Sequence, residues 1–174
     1  MRRLIQLAVT ASLFALWAPA ANAQRYPDRN FDQWHVYGYK DKCWMISTSR
    51  ISGSILSFST VAKDRSFYIG LENREMTWLK HLQEYKFRVQ LGKIDTKTIG
   101  MGYTTDEELG PLVGIFMPDF DRDYLPTLID ADRLKITRDG GPVMLDMPLA
   151  GSEDAIAYFK QCDVALRAGE FADE

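Results

Sequence analysis

The chain has 174 residues, 46% of them hydrophobic and 26% charged, with 21 lysines and arginines against 24 aspartates and glutamates, for a net charge of −3. This is too apolar for a disordered chain and too acidic for a generic nucleic-acid binder or a polybasic membrane-surface protein, both of which need a basic surface. The length fits one domain able to bury a core of its own.

Residues 1–23 read MRRLIQLAVTASLFALWAPAANA. Arg2 and Arg3 open the chain, an apolar run extends from Leu4 to Trp17, and Ala21-Asn22-Ala23 closes the segment. This layout predicts a secretory signal peptide cleaved before Gln24. The run, about 15 residues, is short for crossing roughly 30 Å of hydrocarbon, so no stable membrane insertion is expected after cleavage. Gln24 stands where a lipoprotein would need cysteine. Cleavage leaves 151 residues with 19 basic and 24 acidic side chains, a balance of −5.

Residues 24–33, QRYPDRNFDQ, are polar and contain a proline; they read as a loose N-terminal lead. A single β-rich domain is expected over 34–169, with 170–174 as a flexible tail. WHVYGYK and CWMISTS form a hairpin across Asp41-Lys42, and SILSFSTV and RSFYIGL follow, joined through Ala62-Lys63-Asp64. Tyr85, Phe87, Val89 and Leu91 alternate with polar residues, the pattern of a half-buried strand. TIGMGYT and LVGIFM add two strands, and RLKIT and PVMLDM flank Asp139-Gly140-Gly141, where glycine supplies the positive φ of a tight hairpin turn.

Two segments read as helices. One is short, near 123–130, starting around Asp123 with an aspartate as cap and Pro126 in its first turn. The other is C-terminal: Ser152 caps it, Glu153 and Asp154 suit its first turn, and Gly169 ends it. Ala155, Phe159, Cys162 and Leu166 form its apolar stripe. The predicted fold is mainly β, a sandwich or barrel-like antiparallel sheet of about nine short strands, with the C-terminal helix packed on it.

Cys43 and Cys162 are the only two cysteines, so an oxidising compartment permits a single intramolecular bridge between them. With 118 residues between the sulfurs' positions, the chain-entropy model credits such a bridge with roughly 4–5 kcal/mol. No CxxC spacing supports thiol exchange.

Catalytic and metal chemistry have little to draw on. His35 and His81 are the only histidines, and there is no GxSxG, HExxH, Walker loop or nucleotide fingerprint. Gly100-Met101-Gly102 lacks a third glycine and sits in a strand-like setting. Asp119, Asp121, Asp123 and Asp130 fall at positions 1, 3, 5 and 12 of a calcium-loop pattern. Tyr124 occupies the position that wants glycine, however, and Pro126 stiffens the centre, so capping and a solvated acidic edge is the leading reading. An acidic pair within 119–132 is the basis of an alternative, a hydrolase of envelope polymers. No cofactor is expected.

Aromatic side chains are the other signal. In the first hairpin, alternation sets His35, Tyr37 and Tyr39 on the face opposite Trp34 and Val36, and these three form the candidate binding surface.

With Trp34, Cys43 and the late Leu149, Gly151 and Ala155 in view, the chain resembles small periplasmic proteins of proteobacteria. Its two ends are similar to those of the invasion-associated locus B family. The resemblance implies a β-sandwich-like envelope protein linked to host-cell interaction, with no catalytic residues to carry over. The expected function is thus an exported, non-enzymatic module acting through contacts with an envelope or host protein. A small-ligand-binding barrel is a further alternative.

Overall fold

The computed structural model describes residues 26–48, 53–63, 66–105, 112–121 and 125–170. The signal segment, its cleavage site, Asp123 and the last four residues of the tail lie outside these. The elements run β1 (Tyr26–Phe31), β2 (Trp34–Tyr39), β3 (Lys42–Thr48), β4 (Ile55–Val61), β5 (Ser66–Glu72), β6 (Glu84–Leu91), β7 (Ile94–Thr105) and β8 (Leu112–Asp121). Helix α1 (Leu125–Ile129), β9 (Arg133–Arg138), β10 (Val143–Pro148) and α2 (Glu153–Arg167) complete the chain order.

All ten strands form one antiparallel sheet in the order β1-β2-β3-β4-β5-β8-β7-β6-β9-β10. The mainly β fold with a helix on the sheet is therefore as the pattern predicts. Alternation decides which side is wet: Trp34, Val36, Met45, Phe58, Ile69, Phe87 and Val89 are buried at every second position and join one core cluster. α2 lays Ala155, Phe159, Cys162 and Leu166 into that core and touches β1, β2, β3 and α1. Cys43 on β3 and Cys162 on α2 are at disulfide distance, with Cα atoms 6.0 Å apart.

The strands β6, β7 and β8 return so that β8 lies against β5, a Greek-key arrangement that needs one long connection, Asn73–Gln83. Met76 and Leu79 of this connection are buried in the core. Its second half is held by a stack: the Arg138 guanidinium lies 4.1 Å from the Trp78 ring centroid, and Trp78 meets Tyr85 edge-on at 5.2 Å. The Tyr85 hydroxyl also accepts the Lys80 N–H at 2.9 Å.

Three local expectations are corrected. The lead is not loose throughout: Tyr26–Phe31 is an edge strand. Its four middle residues are exposed, so it carries no alternation. It is held instead at both ends, where Tyr26 and Phe31 pack on Tyr158 of α2 at 5.2 and 5.6 Å. The Tyr158 hydroxyl donates to the Pro27 carbonyl at 2.9 Å. The first-hairpin turn is Lys40-Asp41, one residue earlier than predicted, since Tyr39 pairs with Lys42 and Lys40 takes the positive φ of 55°. Ser152 stands at the N-cap of α2 but makes no side-chain capping bond; its carbonyl accepts the Ile156 N–H. Gly169 does end the helix at φ 75°, with Glu170 N–H bonding to the Ala165 carbonyl and Gly169 N–H to that of Leu166. The short helix begins at Leu125.

Candidate functional site

A sheet covered on one side by its core usually presents polar residues on the other. The outward face here departs from that rule. Across six neighbouring strands the register aligns Tyr37 with Trp44, Ser59 and Tyr68, and the next row aligns Ile46, Ser57, Gly70, Phe116 and Met101. Tyr68 and Phe116 stack at 4.7 Å. Small residues in the middle of bulky rows leave a depression. β4 is accordingly buried on both sides, Ser57 and Ser59 included.

The result is a half-open cavity of about 350 Å³ with Ser57 in its floor, Trp44, Phe116 and Met101 in its walls, and Leu82 at its rim. Glu72 and Tyr103 close one end, where the Tyr103 hydroxyl donates to the Glu72 carboxylate. The Tyr103 ring lies over Gly114, where a Cβ would come within 2.5 Å of the ring. Glycine is thus required beneath the tyrosine.

Leu82 reaches the rim by an unusual route. It has φ 60°, yet is not glycine, and its side chain is 66% exposed. Its N–H donates to the Gly102 carbonyl at 2.8 Å, fixing the connection to β7. A left-handed non-glycine residue costs roughly 1–2 kcal/mol, while glycine gives part of that back through unfolded-state entropy. Leu82→Gly is therefore expected to leave stability unchanged or raise it by up to about 1 kcal/mol. Urea denaturation checks this; a loss above that amount would show that the side chain supports the fold.

The first-hairpin residues lie beside the cavity. His35, Tyr37 and Tyr39 share the outward face as predicted, and with Asp28 and Gly38 they line a shallow concavity of about 260 Å³. The His35 and Tyr37 rings are 5.1 Å apart, His35 Nε2 lies 3.8 Å from Asp28, and Tyr39 is 42% exposed. Burial raises the Tyr37 hydroxyl above its ordinary value, and the charges of Asp28 and Glu72 push it further. A raised folded-state value means this phenol's contribution to stability is complete below about pH 10 and is lost as pH rises from there through the folded-state value. Tyr37→Phe is expected to flatten the fall in melting temperature above pH 10 (about the free phenol's value). An alkaline profile identical to the parent's would contradict the assignment.

The acidic segment is described only in part. Asp119 and Asp121 fall within strand β8, Asp123 lies outside the described residues, and Asp130 is exposed after α1. Asp130 and Asp132 border a broad cleft of about 700 Å³ together with Lys93, Arg133 and Lys135. Among the described residues no group of three or more His, Cys, Asp or Glu is placed to hold a metal ion. His81 sits on an exposed turn, its Nδ1 accepting the Thr104 N–H at 3.3 Å. Among the described residues no helix is long and apolar enough to cross a membrane.

The cavity residues Glu72, Leu82, Met101 and Phe116 escape a reading by sequence. The available signal is the alternation of small residues with aromatics on one face: Ser57 and Ser59, Tyr68 and Gly70, Gly114 and Phe116. The chain matches no family model, no curated protein and no solved structure.

Proposed function

We propose that the protein is an exported, non-catalytic binding module of the cell envelope that recognises another protein through the outward face of its sheet. The observation that carries this reading is the face itself, an aromatic strip from His35 to Tyr103 with Tyr39, Met101 and Leu82 exposed along it. Aromatic and methionine side chains are enriched where proteins meet, and an exposed apolar patch marks such a surface. The export part rests on the signal pattern of residues 1–23, and the envelope setting agrees with the resemblance to the invasion-associated locus B family.

The test compares immobilised mature protein with its Tyr37→Ala/Tyr39→Ala variant in envelope extract. A discrete protein enriched at least about tenfold on the parent (1.4 kcal/mol) and lost on a variant with unchanged melting temperature is the expected result. The same proteins on both would overturn the surface assignment. Fractionation tests export independently: the expected product is an envelope-localised chain beginning at Gln24, and a full-length cytoplasmic chain would contradict it.

A further inference from the structure

The geometry points to a second capability of the same face: the cavity between Trp44 and Phe116 binds a small organic cation, an apolar or aromatic body carrying one ammonium group. Its volume, about 350 Å³, is at the lower end of the range for small-molecule sites. Trp44, Phe116, Met101 and Leu82 offer apolar contact to the body of such a ligand. Among the described residues that line the cavity Glu72 is the acidic one, its carboxylate oriented by the Tyr103 hydroxyl, and none is basic.

Aromatic faces and a carboxylate favour the same kind of guest. A ring's negative face attracts a cation, most strongly where water is partly excluded, and the carboxylate adds a charge-assisted hydrogen bond. An anion would meet repulsion from Glu72. A neutral apolar guest would desolvate the Glu72–Tyr103 pair without returning a bond to it. The face already seats cations on its rings: Lys42 Nζ lies 5.7 Å from the Trp44 centroid and Lys40 Nζ 5.3 Å from that of Tyr39. The field of Glu72 also extends along the face, since it helps raise the Tyr37 hydroxyl. Leu82, held in a left-handed conformation at the mouth, fits the pattern by which backbone strain collects at ligand clamps.

This inference uses the face assigned above but does not depend on a protein partner, and the two are separated by their variants. The probes are 2-phenylethylammonium, 2-phenylethanol and 3-phenylpropionate, titrated into the purified disulfide-bonded protein and followed by calorimetry. The Trp44 indole N–H resonance, assigned with Trp44→Phe, reports the place of binding. The ammonium is expected to bind at least about tenfold tighter than the alcohol, to shift the Trp44 resonance saturably, and to leave the propionate without measurable binding. Glu72→Gln, which keeps the side-chain shape, is expected to remove the preference for the ammonium while alcohol binding stays. Should that variant fail to fold, the parent's preference must instead weaken as salt rises. Equal affinities for the three probes, no binding of any up to about 10 mM, or ammonium binding that leaves Trp44 unmoved would each overturn the proposal. Failure here with Tyr37- and Tyr39-dependent partner capture intact would leave the protein-contact reading standing.

Discussion

Replacing both cysteines by alanine is expected to lower stability by about 2–5 kcal/mol, with the melting temperature falling by roughly 5–20 °C for a domain of this size. Cys43 and Cys162 are completely buried and separated by 119 positions, so the bond removes a very long loop from the unfolded ensemble. The upper limit is set by the chain-entropy value, roughly 4–5 kcal/mol. The fall should not exceed it greatly, because α2 keeps other anchors: Phe159, Ile156 and Leu166 are buried in the core, and Tyr158 clamps β1. Equilibrium urea unfolding of the double variant and the oxidised parent checks this. A change below about 1 kcal/mol, outside the usual range for removing a native bridge, would contradict the bond's place in the fold.

Phe58→Ala is expected to cost about 3–5 kcal/mol, the range for deleting a buried aromatic side chain. Phe58 is fully buried on β4, stacks on Phe67 with centroids 5.5 Å apart and lies 5.9 Å from Trp34. Truncation removes transfer energy, two ring contacts and the packing around the resulting cavity. Exposed Tyr39, on the opposite face, should tolerate alanine within about 0.5 kcal/mol. The contrast between these two substitutions in one denaturation series measures which side of the sheet is core. Equal losses would contradict the assignment of faces. Phe58 pairs with Met45, two residues from Cys43, so its effect and that of the cysteine pair should not simply add.

What was legible in the sequence was local. Gly140 in Asp139-Gly140-Gly141 announces a tight turn, the four alternating residues of β6 announce one wet face, and the stripe with Cys162 announces a helix with a buried cysteine. The opposition of His35, Tyr37 and Tyr39 to Trp34 and Val36 follows from the two-residue period alone. β1 was illegible because its exposed run has no period; it is a strand by its pairing with β2, and its ends are held by Tyr158, more than a hundred residues away. The cavity was illegible for a related reason. It needs β5 beside β8 and β7, a pairing of segments with two strands and a long connection between them, and strands of similar pattern permit many such orders. Once that order exists, the small residues Ser57, Gly70 and Gly114 become a floor between aromatic walls. Leu82 gave no signal either, since its positive φ is imposed by the bond to Gly102.

The proposed function requires the outward face to be the surface that meets a partner. A photocrosslinking amino acid placed at position 39 in intact cells tests this most directly, with position 143, similarly exposed on edge strand β10, as the control. Binding through this face should give a discrete higher-mass adduct from position 39 and none from position 143. Equal adducts from both positions, or none from position 39, would contradict it.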